Sequence, residues 1–220
     1  NKKFFDLFIM SAGTNILGYA NDAINKSVIS SLKNGNISTL NSFEEVVLAE
    51  KLISINPWAE KVLFSRTGGE ANAIAVRLAR AYTGKDKIAI CGYHGWHDWY
   101  LAASKSNEKK IKKEQLPFYT SMGVPKSLLN SIIPFEYNNL NSLKNIILNN
   151  KDIGIIKMEV ERNEKPKANY LNEVRKIASK NNIVLIFDEC TTGFRETFGG
   201  IYKKYKVTPD IAIFGKALGN

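Results

Sequence analysis

Cysteine is scarce. Cys91 and Cys190 are the two thiols in 220 residues, far apart and outside any paired metal spacing, which argues against a disulfide framework or a zinc site. Long apolar runs are missing as well. None reaches the roughly 20 residues that span a bilayer, and NKKFFDLFIMSAGTN at the start has too short an apolar stretch for a signal peptide. No membrane association is expected, and the default compartment is the cytoplasm. With no Pro/Gly/Ser-rich linker and no internal repeat, the chain reads as one large α/β domain or two small ones. Acidic residues are in deficit, 21 against 31 Lys and Arg, for a formal net charge of +10. Basic chains often bind nucleic acid. Here the one dense basic run, KKIKK at 109–113, has no interleaved aromatics and no recognisable binding module. It reads as a solvated face and no nucleic-acid partner is expected, a basic nucleic-acid-binding α/β module standing as the alternative function.

What is present is a core-sized hydrophobic fraction, 44%, arranged in alternating elements. SFEEVVLAEKLISI (42–55) repeats apolar residues at helical spacing and opens with a Ser-x-x-Glu capping box, Ser42 to Glu45. A short strand is expected at 61–65, then the turn RTGG, then a helix from Glu70 that ends at a Gly84 C-cap. The alternation continues with a strand at 87–91, an irregular stretch from 92 to about 142, and a helix near LNSLKNIILNN. Strand 153–160, helix 171–182, strand 183–189 and strand 211–217 complete it. Strands apolar on both faces and alternating with helices predict a mostly parallel sheet covered on both sides. Ligands of such sheets bind beyond the carboxyl ends of the strands.

Four features fall at those ends. Asp188 terminates the apolar run IVLIFDE, where an ionised acid requires a cation or several donors; a structural salt bridge and a functional partner both satisfy that demand. The turn TGGEA (67–71) opens a helix with small residues, suiting a phosphate or serving as an ordinary strand-to-helix turn. It is neither a G-x-G-x-x-G fingerprint nor a P-loop. Lys216, in IFGKALG, either snorkels to water or is desolvated in preparation for Schiff-base chemistry. GYHGWHDWY (92–100) supplies aromatic faces, two histidines and Asp98. His94, His97 and Asp98 also invite a metal reading, but no third ligand cluster accompanies them and no metal is expected. Together the four features offer a phosphate cradle, an aromatic platform, an acid and an amine, the set that pyridoxal 5′-phosphate uses.

In these motifs, from SAGTNILGYANDAI through FDECTTGFR to PDIAIFGKALGN, the sequence resembles the class III (ω-amino) aminotransferases of PLP fold type I. Within that family it is most similar to glutamate-1-semialdehyde aminomutase and the aminomutase-like transaminases. The resemblance implies an N-terminal segment (1–50) leading into a pyridoxal-phosphate-binding large domain (51–220). It also implies that the chain is a fragment, or the ordered part of a longer protein, without the small C-terminal domain. A homodimer with the site at its interface follows, as do a small amino donor and a carbonyl acceptor. The reaction would be amino transfer or, as the alternative, an intramolecular aminomutase reaction. By motif, Lys216 would be the Schiff-base lysine and Asp188 the partner of the pyridinium nitrogen. Thr67, Gly68 and Gly69 would hold the phosphate. Tyr93 would stack on one ring face with His94 beside it, and Cys190 would lie against the other face.

Ser11, Glu159 and Trp96 are candidate substrate contacts. Cys190 stands where the family commonly has Val, and a thiol beside the cofactor is expected to be open to oxidation. Val160 follows Glu159 where the family has Pro, and HGWHDWY departs from the aminomutase pattern His-Gly-His-Ala-Asp. Arg195 either binds a substrate carboxylate or pairs with Glu189 or Glu196.

Overall fold

A computed structural model describes residues 2–5, 10–35, 39–103, 121–161 and 163–219, so the basic run at 109–113 lies outside the described residues. Five strands form one sheet in the order β2-β1-β3-β4-β5: β1 (Lys87–Cys91), β2 (Ile132–Pro134), β3 (Ile153–Glu159), β4 (Val184–Asp188) and β5 (Ile211–Ile213). Every pairing is parallel. Parallel neighbours need crossovers, and the helices provide them.

The register fixes two faces, because successive side chains of a strand point to opposite sides. On one face Ile88, Ile90, Ile155, Val184 and Ile186 pack against Ala75, Val76 and Ala79 of α4 (Gly68–Thr83). On the other, Ala89, Ile156, Met158, Leu185 and Phe187 meet Leu143 of α6 (Leu140–Asn149) and Leu171, Val174 and Ala178 of α7 (Tyr170–Lys180). Both faces are therefore dry, as the near-continuous apolar strands require. Among the described residues no helix is long and apolar enough to cross a membrane.

Local signals account for the helix boundaries. Helix α3 (Phe43–Ile55) has the expected capping box, with the Ser42 hydroxyl accepting from the Glu45 N–H and the Glu45 carboxylate accepting from the Ser42 N–H. The same device, Thr67 with Glu70, starts α4 two residues earlier than its apolar pattern suggests, and Gly84 ends it in the left-handed region. Helix α2 (Asp22–Lys33) is capped by Asn21. Shorter pieces are a kinked turn, α1 (Met10–Gly13), then α5 (Asp98–Leu101) and α8 (Tyr202–Tyr205).

Three expectations need correction. Residues 61–65 form no strand: Leu63 is 67% exposed and Phe64 38%, and the sheet offers them no ladder partner. The last strand stops at Ile213 rather than 217, because Lys216 takes a positive φ and begins a single 3-10 turn, Lys216–Leu218. The stretch read as irregular hides β2, three residues ending in Pro134 at the sheet edge, a place where a missing N–H is tolerated.

Candidate active site

The two acids at the end of β4 part company because adjacent residues face opposite ways. Glu189, wholly buried, accepts from the backbone N–H of Ile201 (3.0 Å) and Tyr202 (2.9 Å) and from the Thr192 hydroxyl (2.5 Å). Burial pushes its carboxyl above the ordinary range against the pull of these donors. It fastens the turn after β4 to the 200–202 segment.

Asp188 faces the α4 side. It is 4% exposed, with Oδ2 2.8 Å from His94 Nδ1 and 4.0 Å from Lys157 Nζ, and Oδ1 accepting the Cys190 N–H at 3.1 Å. Burial alone would raise its pKa, but the Lys157 charge, His94 and the Cys190 N–H outweigh that and hold the carboxyl well below its usual range. His94 Nε2 lies 3.0 Å from the Cys91 carbonyl. Both ring nitrogens thus face acceptors. At 4.0 Å and an effective dielectric near 20, the Lys157–Asp188 attraction is about 4 kcal/mol, set against a desolvation cost of several kcal/mol per buried ion.

The first turn of α4 lies across from this acid. A Cβ built on Gly68 would stand 3.3 Å from Cys190 Sγ, and so would one built on Gly215, which places that thiol between the α4 turn and the residue before Lys216. Thr67 Oγ1 accepts from the Glu70 N–H, while no described hydrogen bond uses the Gly68 or Gly69 N–H. Two donors at the positive end of a 16-residue helix are what a phosphate needs. The 92–97 loop closes over them. Gly95, at φ +96°, comes so near that its Cβ would stand 3.1 Å from Gly69 Cα, and a Cβ on Gly69 would meet the His97 ring at 2.9 Å. Glu159 Oε2 accepts the Tyr93 N–H at 3.0 Å and anchors the start of the same loop.

Lys216 completes the group. Its amine donates to Thr191 Oγ1 at 3.0 Å, one residue beyond Cys190. The kinked α1 packs on the 216–218 turn and brings exposed Ser11 toward it. Arg195 donates to the Thr191 and Gly13 carbonyls, so neither expected partner acid is used; Glu196 pairs with Lys204 instead. Trp96 stands apart, 63% exposed and tilted against His97.

This arrangement can be set against known proteins. The Aminotransferase class-III model matches residues 1–220. The chain belongs to the class III aminotransferase family. It is 39% identical to the 3-aminobutyryl-CoA aminotransferase of Cloacimonas acidaminovorans, over 97% of this chain and 49% of that protein. It is 35% identical to a glutamate-1-semialdehyde 2,1-aminomutase of Methanococcoides burtonii, over 96% of this chain and 51% of that protein. Among solved structures, an omega-transaminase from Sphaerobacter thermophilus superposes with a TM-score of 0.84 at 29% identity, covering 96% of this chain and 50% of that one. The chain spans about half the length of the curated relatives it matches.

Within this class III aminotransferase chain, the structure gathers Asp188, His94, Cys190, Gly68, Gly69, Glu159 and Lys216 into one region at the strand ends. Two neighbours escaped the sequence reading. Thr191, the partner of the Lys216 amine, looked like part of a turn. Lys157 interrupts the apolar run IGIIKMEV at the parity of Glu159, a signal that was there to be read. The expectation that Cys190 is readily oxidised is corrected: burial first, then Asp188, push its thiol pKa up, so the reactive thiolate is disfavoured.

Proposed function

We propose that this chain binds pyridoxal 5′-phosphate and transfers an amino group between a small amino donor and a carbonyl acceptor. The observation that carries the reading is that the run Cys190-Thr191 touches both a buried, ionised Asp188, through the Cys190 N–H, and the Lys216 amine, through the Thr191 hydroxyl, with two uncommitted helix N–H groups close to Cys190. The donor set fits the cofactor: Gly68 and Gly69 would hold the phosphate, Asp188 the ring nitrogen, Tyr93 and Cys190 the two ring faces, and Lys216 the carbonyl carbon. When bound, pyridoxal phosphate supplies a carbonyl that condenses with amines and a ring that accepts electrons from the substrate carbon.

The chain's own residues do the rest. Asp188, kept ionised by its neighbours, would hold the proton of a ring nitrogen seated against it. Lys216 would be the general base and acid that moves the proton at the substrate carbon. Thr67 keeps the first turn of α4 in place through its cap, and Glu159 keeps Tyr93 in place through its backbone N–H. Ser11 and Trp96, at the rim, are the proposed substrate contacts.

The exposed apolar side chains of α2 and α3, Val28, Ile29, Leu32, Phe43, Val46 and Val47, support a homodimer, and the site would lie at its interface in the cytoplasm. A second reading, intramolecular transfer on glutamate 1-semialdehyde, is supported by the aminomutase relatives.

The test is borohydride reduction of the full chain loaded with pyridoxal phosphate, followed by peptide mapping. Label on Lys216, and its loss in Lys216→Ala together with turnover, is the expected result; full activity in that variant ends the proposal. A labelled amino donor then separates the readings, since a transferase passes the label to a second molecule and a mutase retains the substrate's own nitrogen.

A further inference from the structure

Beyond its charge beside Asp188, Lys157 has no role in the reading above. It is wholly buried, its Nζ has no hydrogen-bond partner among the described residues, and it lies 4.0 Å from Asp188 Oδ2. Its strand neighbours are Ile90 on β1 and Ile186 on β4, both apolar and fully or nearly fully buried. A long amine in that setting costs several kcal/mol to desolvate, and an aliphatic residue would pack there at no such cost.

The groups around it limit what it can do. Asp188 is the nearest charge. Glu159, two residues along the same strand, is engaged with the Tyr93 N–H, and His94 Nδ1 lies against the same Asp188 oxygen, Oδ2, that Lys157 faces. Cys190 follows Asp188, with its thiol pushed up by burial. Helix α4 presents Asn72, Ala75, Val76 and Ala79 to the interior, none of them ionisable. Burial pulls the Lys157 amine below its ordinary range, while Asp188, Cys190 and Glu159 pull it back.

We propose that Lys157 is a positioning residue of charge: a fixed cation that shares the Asp188 carboxylate and so lowers the proton affinity of any nitrogen base seated against it. The inference rests on the functional reading in taking that base to be the ring nitrogen of pyridoxal phosphate. Asp188 without Lys157 would hold the ring proton to higher pH. With Lys157 present, part of its negative charge is already balanced, and the ring nitrogen titrates at lower pH.

The experiment has two arms, each comparing the full chain with Lys157→Met; Lys157→Gln, neutral and of similar reach, replaces it should the Met variant not fold. The first arm uses protein stripped of cofactor and follows acid unfolding. Without Lys157, Asp188 takes up its proton about tenfold more readily, so the low-pH end of the acid limb, set by the folded-state pKa, moves up by about one pH unit, and the move disappears in an Asp188→Asn background. An unmoved limb overturns the proposal. The second arm follows the ¹⁵N chemical shift of ring-labelled pyridoxal phosphate across pH. The midpoint is expected to rise by about one unit in the variant, and equal midpoints overturn the proposal. A protein that takes up no pyridoxal phosphate overturns the functional reading instead, leaving the first arm as the test of Lys157.

Discussion

The Lys216 amine donates to the Thr191 hydroxyl at 3.0 Å, and Thr191 lies three residues beyond the buried acid Asp188. Two parts of the chain far apart in sequence are joined by this contact. Parallel pairing makes it possible: β4 and β5 run side by side, with Asp188 in register with Ile213, so the turns that follow them emerge at the same end of the sheet. The positive φ of Lys216 and the single turn it opens then direct the amine back toward the end of β4.

Replacing Thr191 with Val removes that acceptor while keeping the shape of the side chain. The Lys216 amine then loses its orientation, and borohydride-trappable capture of pyridoxal phosphate is expected to slow about tenfold, equivalent to about 1.4 kcal/mol. Stability should change by about 1 kcal/mol or less, the net worth of one hydrogen bond. Stopped-flow absorbance and urea unfolding separate the two effects. Capture at the wild-type rate would remove Thr191 from the site.

Asp188→Asn should change how stability depends on acid. The folded-state pKa of Asp188 lies below its ordinary 3.8, so its contribution is fully present above that value and is lost as pH falls below it. The Asn variant lacks this acid-dependent loss. It also leaves Lys157 buried without its anion, which is expected to cost about 3–5 kcal/mol at neutral pH. Urea unfolding from pH 3 to 7 measures both, and an acid limb identical to that of the wild type counts against the assignment.

Glu189 makes the opposite prediction. Its folded-state pKa is raised above 4.5, so stability falls as pH rises from that value toward the folded one. Glu189→Gln, which cannot ionise, should lack this slope and keep an acceptor for one of the Ile201 and Tyr202 N–H groups, which reach different oxygens of the Glu189 carboxylate. Glu189→Ala strands both and the Thr192 hydroxyl, and is expected to destabilise the chain by about 2–4 kcal/mol. Thermal unfolding of the two variants at pH 5 and pH 8 checks the sign.

The contrast between these two acids marks how much could be read beforehand. The end of the continuous apolar run in IVLIFDE was enough to place Asp188 at a strand end, and the capping box at Ser42 and the left-handed Gly84 were local signals that stayed local. Asp188, His94, Cys190, Gly68, Gly69 and Lys216 lie in one region at the strand ends, while Trp96 stands apart. What the sequence concealed was non-local. The apolar residues of KVLFS look like a strand until the sheet is seen to offer no partner, and β2 is too short, with a proline, to stand out from its surroundings. Lys157 is a single charge in an otherwise apolar run, and its partner Asp188 lies on another strand; Thr191 lies in a turn whose neighbour Lys216 is brought to it by β5.

The close approach of the 92–97 loop to helix α4 gives a final prediction. A Cβ on Gly69 would stand 2.9 Å from His97 Cδ2 and 3.0 Å from its Nε2, nearer than unstrained atoms pack, so Gly69→Ala must displace the half-buried imidazole. The backbone at Gly69 is helical and accepts Ala without strain, so the cost falls on the contact and not on the helix. Retention of pyridoxal phosphate is expected to weaken about tenfold in Gly69→Ala, because the loop that covers the Gly68 and Gly69 N–H groups is pushed outward. Adding His97→Ala removes the obstruction and should recover most of that loss, giving a coupling of about 1 kcal/mol in a double-mutant cycle. Fluorescence titration of the four proteins reads it, and strictly additive losses would mean that the two residues do not meet over the phosphate turn.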